Sequence, residues 1–237
     1  MEDNVDNGEL TRILATLQAK YRTETVNVKI GSDLLRILQL ADFEDYVGKL
    51  AQKEYLTLED LPLWAKVWEA SFVMASYWAH QPVVPGRRIL EIGTGIGVLG
   101  VFMASKGHRV TLSDINEDAL LFARANVLLN GCEGNADVQR IDWNDTFLGE
   151  PYHVIVGSEV VYDRATYPAL VRFLDQALVP GGTIFLAKNT QLQAPGFFAE
   201  LVTRFAYKEK IIPFEGHDEI SGVALYAIRR RGETTCS

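Results

Sequence analysis

From residue 88 onward the 237-residue chain alternates short apolar runs with stretches whose apolar residues recur at helical spacing. Residues 87–92, "RRILEI", read as a buried strand, 97–106 as a helix closed by Gly107, and 108–113, "HRVTLS", as a second strand. Asn116 can cap the next helix, with Glu117 and Asp118 in its first turn, Leu120, Ala123 and Val127 on its inner stripe, and "NG" at 130–131 ending it. "ADVQRI" (136–141) and "YHVIVG" (152–157) predict strands three and four. Leu170, Phe173, Leu174, Ala177 and Leu178 mark a helix from Pro168 that "VPGG" breaks before strand five, "TIFLAK". A helix over 197–205 follows, then two strands, "KEKIIPF" and "GVALYAIRR", around a turn at 215–221. The pattern predicts an α/β fold with a Rossmann-like, doubly wound, seven-stranded sheet, mostly parallel with an antiparallel terminal strand.

Residues 1–87 differ in character. Leu10, Ile13, Leu14 and Leu17 stripe a short helix, "ETVNVKI" (24–30) reads as a strand, and 32–54 read as helical. A tryptophan-rich helix over 61–80 precedes the first sheet strand. No Gly-, Ser- or Pro-rich linker intervenes. Residues 1–87 are therefore expected to form a cap packed on a domain at 88–231, with 232–237 a tail.

Composition narrows the chemistry. No run approaches the roughly 20 apolar residues that span a bilayer, and the acidic, polar N-terminal stretch lacks the pattern of a signal peptide. The expectation is a soluble, cytoplasmic protein with no membrane partner. Cys132 and Cys236 lie far apart, and His80, His108, His153 and His217 show no ligand spacing, so no structural metal is expected. A net charge of −8 argues against a broad nucleic-acid-binding face. Oligomeric state is not legible.

The candidate chemistry lies in "EIGTGIGVLG" (91–100). Gly95, Gly97 and Gly100 spell G-x-G-x-x-G, a dinucleotide loop, while Glu91, Gly93, Gly95 and Gly97 spell E-x-G-x-G-x-G, a loop for S-adenosylmethionine. Asp114, 19 positions after Gly95, can accept from both hydroxyls of an adenosine ribose and serves either cofactor. Glu91 favours S-adenosylmethionine, because an acid at the strand end suits a cationic amino-acid group and repels a pyrophosphate. Asp142 after the third strand can meet an adenine amino group, and Trp143 can line its pocket. Too little chain follows strand five for a separate dehydrogenase catalytic domain.

With these residues in hand, the chain resembles the seven-strand class I methyltransferases, and within them the family 16 protein-lysine methyltransferases. The resemblance spans about residues 60–230 and rests on "LEIGTGIGVLG", "SDINEDAL", "DWN", "SEVVYD" and "LWAKVWEAS". Glu159-Val160-Val161-Tyr162 stands where the family carries an Asp-x-x-Tyr type motif, opening here with Glu. The resemblance implies S-adenosyl-L-methionine as cofactor, held by Trp68, Glu91, Gly93, Thr94, Gly95, Gly97, Asp114, Ile115, Asp142, Trp143 and Ser158. It implies Glu159 and Tyr162 as catalytic residues and a protein substrate presenting a lysine. Glu159 would hold the amine and relay its proton, and Tyr162 would wall the amine channel. Other readings stay open. Glu159 can be a solvated or capping acid, and Tyr162 or Trp68 a core aromatic. The acceptor can be a small molecule or another protein side chain, and a noncatalytic binding domain can keep the fold. Strand four ends in "GSEVVY", without the "NPPY"-like motif of base and glutamine methylation.

Overall fold

The computed structural model describes residues 7–51, 61–213 and 222–232. The turn expected at 215–221, His217 and Cys236 lie outside the described residues. Strands β3 (Arg88–Ile92), β4 (Arg109–Asp114), β5 (Ala136–Arg140), β6 (Tyr152–Ser158), β7 (Leu178–Asn189), β8 (Phe205–Pro213) and β9 (Gly222–Arg230) form one sheet in the order β5-β4-β3-β6-β7-β9-β8. β3 to β7 pair in parallel, whereas β9 pairs antiparallel to both β7 and β8, as the terminal strand pair predicts. The chain winds outward from β3 to β5 and then returns to β6 on the other side. That reversal opens a crevice at the carboxyl ends of β3 and β6, the place where open α/β sheets bind ligands.

The pleat decides which residues face which helices. Ile89, Val154 and Val156 join a core under α4 (Val98–Ser105) and α5 (Glu117–Leu129), while Leu90, Ile92 and Ile155 join the core under α6 (Tyr167–Ala177) and α7 (Pro195–Leu201). Leu170, Phe173, Leu174 and Ala177 are all buried on α6, the stripe read from the sequence. "VPGG" lies within β7: the register with β6 jumps from Tyr152↔Leu178 to Val154↔Thr183, so Val179 to Gly182 bulge out. The last helix ends at Leu201 rather than 205, and Phe205 already begins β8.

Two elements before β3 differ from expectation. Residues 33–40 form a strand, β2 (Asp33–Leu40), paired antiparallel to β1 (Thr23–Ile30) across a turn at Gly31. Helix begins only at α2 (Phe43–Leu50). The apolar spacing of "LLRILQL" fits a helix, but the free edge of β2 is completed from afar by α5. Asn126 Oδ1 accepts from Leu38 N at 2.6 Å and its Nδ2 donates to Leu38 O at 3.1 Å. Asn130 does the same for Arg36, at 2.9 and 2.8 Å. Two side-chain amides, one on α5 and one at its C-terminal cap, thus act as a neighbouring strand.

The tryptophan segment is the second difference. Only α3 (Glu69–Trp78) is α-helical; a single 3-10 turn at Leu63–Ala65 and extended backbone at Lys66 and Trp68 precede it. Tertiary packing overrides helical spacing here, because Trp64 is pinned between Tyr21 and Phe122 with ring centroids 6.0 and 5.6 Å away. Helix α1 (Asn7–Gln18) packs on α5 through buried Ile13 and Leu17, flanked by the Arg124–Glu9 pair and by Tyr21 Oη donating to Asp118. No helix among the described residues is long and apolar enough to cross a membrane.

Candidate active site

The glycine loop leaves β3 and enters α4 with Gly93, Gly95 and Gly97 all at positive φ, +58°, +54° and +87°. L side chains pay for such backbone, and glycine does not. Thr94 N donates to Ser113 O at 2.9 Å, which ties the loop to the end of β4. Beneath it lies Glu91, 3% exposed, its carboxylate accepting from the Thr94 hydroxyl and from the Gly100 backbone N–H. A side chain on Gly100 would collide with that carboxylate, so the third glycine of G-x-G-x-x-G makes room for an acid rather than for a pyrophosphate. Burial pushes Glu91 up to about 8, against the two hydrogen bonds, and the nearby Asp114 charge adds to the rise.

Asp114 ends β4 beside the loop. Its Oδ2 accepts from Gly95 N and its Oδ1 from Asn116 N, both at 3.0 Å. The group is buried, and burial raises its affinity for a proton against the opposing backbone N–H bonds from Asn116, Gly95 and Ile115. Asn116 in turn caps α5 by accepting from Ala119 N at 3.0 Å, as its sequence position predicts.

Glu159 follows β6 and is the only non-glycine residue at positive φ, +55°, among those described. Such a conformation costs on the order of 1 kcal/mol or more and persists only where neighbours fix it. Here the neighbours belong to β7. Glu159 N donates to Ala187 O at 2.9 Å, and its Oε1 accepts from Asn189 N at 2.6 Å. Burial raises its proton affinity, while the Asn189 N–H and the Lys188 ammonium oppose this. At 9% exposure it is neither a solvated acid nor, with that acceptor role on β7, a helix cap.

These parts meet in one cavity of about 410 Å³, within the range of small-molecule sites. Glu91, Gly93, Thr94, Gly95, Asp114, Ile115, Asp142, Trp143, Ser158, Glu159, Tyr162 and Trp68 all line it. Gly97 does not. It caps α4 from behind the loop, where an added Cβ would lie 3.1 Å from Ala123 and Leu112, so close helix packing rather than the cavity demands glycine there. Ser158 Oγ is buried without a hydrogen-bond partner, a polar atom left for a ligand to satisfy. Tyr162 is 48% exposed, which makes it a wall of the mouth and not a core aromatic. Trp68 caps α3 in extended backbone, its Nε1 donating to Leu63 O and its ring lying 4.2 Å under Lys66 Nζ.

Sequence reasoning missed three residues that shape the site. Trp64 contributes its carbonyl, on which the loop closes, and lines the cavity. Asn126 reaches the loop through Ile96 O at 2.8 Å as well as holding β2. Lys188 stands beside Glu159. Their partners lie tens of residues away, and only "LWAKVWEAS", already singled out, gave a local signal.

The site geometry accords with what comparison with known proteins finds. A family model described as lysine methyltransferase matches residues 59–205. Mouse EEF1A lysine methyltransferase 3 is 31% identical over 174 residues, 70% of this chain and 72% of that protein. Zebrafish (Danio rerio) protein N-lysine methyltransferase METTL21A is 32% identical over 154 residues, 61% of this chain and 70% of that protein. Among solved structures, the glycopeptide N-methyltransferase MtfA in complex with S-adenosylmethionine superposes with a TM-score of 0.55 over 67% of this chain and 93% of that one. At 16% identity that likeness bears on the fold.

Proposed function

The chain belongs to the lysine methyltransferase family and is an S-adenosylmethionine-dependent protein-lysine N-methyltransferase, and on that footing we propose which residues hold the cofactor and which receive the amine. The observation that carries this assignment is the presence of two acids with separate tasks on one cavity: Asp114 beside the glycine loop and Glu159 at the end of β6.

Asp114 would take the ribose hydroxyls, with Ile115, Asp142 and Trp143 around the adenine and the backbone of Gly93 to Gly95 beside the amino-acid portion. The unpartnered Ser158 Oγ supports a polar ligand at this depth. Glu91 serves indirectly, fixing Thr94 and admitting α4 close to β3. When bound, S-adenosylmethionine supplies an electrophilic methyl group on a sulfonium.

The acceptor lysine must arrive as a free amine. Its usual pKa of about 10.4 makes deprotonation at pH 7 cost about 4.6 kcal/mol. Glu159, on the same wall and rigidly held through Asn189, would receive the ammonium and take its proton, and Tyr162 and Trp68 would confine the lysine's methylenes at the mouth. Positioning supplies most of the catalysis in such a site. A cytoplasmic location belongs to the same proposal.

Incubation with methyl-labelled S-adenosylmethionine and either EEF1A, the protein named in the mouse relative, or a cell extract tests the assignment. Mass spectrometry should find Nε-methyllysine, formed about 10²-fold more slowly by Glu159→Gln at unchanged cofactor affinity. Asp114→Ala should instead weaken cofactor binding, by about 10-fold or more. Full activity of Glu159→Gln, or label on a different side chain, overturns the reading.

A further inference from the structure

Two residues at the end of β7, Ala187 and Asn189, hold Glu159. Ala187 O accepts its backbone N–H, Asn189 N donates to its carboxylate, and between them Lys188 donates from Nζ to Asn189 O at 3.2 Å. One residue, Asn189, thus carries the carboxylate on its N–H and the ammonium on its carbonyl. Lys188 is 5% exposed. Burying an ammonium is costly unless opposite charges and hydrogen bonds surround it. Burial lowers its proton affinity, and two carboxylates oppose this, Glu159 just after β6 and Glu209 on β8, the latter also accepting from Tyr226 Oη at 2.8 Å. Lys188 does not line the main cavity. It lines a second one, of about 300 Å³, together with Glu209, Tyr207 and Tyr226, and Leu192 borders both.

We propose that Lys188 is a positioning residue for methyl transfer, its buried ammonium acting through Glu159 to keep that carboxylate charged and aimed at the acceptor amine. This rests on the assignment of Glu159 as the group that receives the amine. Burial drives Glu159 toward its protonated form, and a protonated carboxyl cannot take up a proton from the acceptor. Of the charges around it, the Asn189 N–H and Lys188 oppose protonation, Glu69 favours it, and Lys66 opposes it from an exposed position where water screens its effect. Lys188 is the buried cation of that set, and it lines the second cavity rather than the one that holds Glu159.

The test is the pH dependence of methyl transfer by Lys188→Met and Lys188→Arg, with the cofactor Kd measured on the same preparations. Loss of the charge should move the acid limb of the rate profile to higher pH by about one unit, so that the Met variant is up to about 10-fold slow on that limb and recovers toward the wild-type rate above it. Its Kd for S-adenosylmethionine should stay at the wild-type value, and Lys188→Arg should restore the wild-type profile. A drop of equal size at every pH overturns the proposal, as does an unshifted profile. Lys188→Gln serves as a second neutral variant; failure of both neutral variants to fold assigns Lys188 to the scaffold alone and overturns it equally. Glu159→Gln assayed in parallel separates the two readings. Full activity there removes Glu159 from the acceptor site, whereas a slow Glu159→Gln beside an unshifted Lys188→Met removes Lys188 alone.

Discussion

The carbonyl oxygen of Trp64 stands where a side chain on Gly95 would begin: an ideal Cβ on Gly95 would lie 2.5 Å from it. From sequence alone, a side chain at Gly95 is expected to fill the space where the cofactor meets the loop. The structure puts the first collision against the Trp64 backbone, in a segment that borders the same cavity. Gly95→Ala should therefore cost about 1–3 kcal/mol from strained φ and displaced Trp64 backbone together, and it should shift a cavity wall. Thermal melts with and without S-adenosylmethionine check this, the expected result being a lower Tm that the cofactor raises little or not at all. Ordinary cofactor-induced stabilisation of the variant would show that the loop lies away from the site.

Glu91 makes stability fall with pH. Its proton affinity in the fold, about 8, lies above the usual 4.5, so between those values the unfolded chain releases a proton that the fold retains. The group's contribution is whole below about 4.5 and is lost as pH rises through about 8, at no more than about 1.4 kcal/mol per pH unit. Glu91→Gln should flatten that decline, so the variant gains on wild type in Tm between pH 5 and pH 8. A constant difference between the two curves across that window would place the proton elsewhere.

Asn126 serves three backbone groups at once, the Leu38 N–H, the Leu38 carbonyl and the Ile96 carbonyl. Asn126→Leu keeps the bulk and orphans all three. Unmet buried partners make the expected loss on the order of 3 kcal/mol, read by chemical denaturation. Because Ile96 belongs to the glycine loop, weaker cofactor binding should accompany it; a loss under about 0.5 kcal/mol would mean that water replaces the amide.

Glu159 trades stability for chemistry. Glycine at this position relieves the +55° backbone and loses the Asn189 hydrogen bond, two effects of about 1 kcal/mol and opposite sign. Glu159→Gly should thus melt within a few degrees of wild type while its methyl transfer falls by about 10²-fold or more. A large drop in Tm would make the carboxylate a structural strut.

The alternation of strands and helices after residue 88, the glycine loop, the two acids that follow it and the cap at Asn116 were all legible in the sequence. Each depends on neighbours within a few positions along the chain: a buried strand needs an unbroken apolar run, and a turn at positive φ needs glycine. Residues 33–40 obey the same local rules and still form β2 rather than a helix, because Asn126 and Asn130, 88 and 94 positions away, complete its edge. The tryptophan segment is not one continuous helix for a like reason, since Trp64 gains more between Tyr21 and Phe122 than an unbroken helix would return. The sequence by itself determined the sheet, the loop and which carboxylates could serve. Tertiary structure decided that Gly97 backs the loop, that Gly100 accommodates Glu91, and that Asn189 joins Glu159 to Lys188, because each of those contacts closes between segments whose separation along the chain carries no periodic signal.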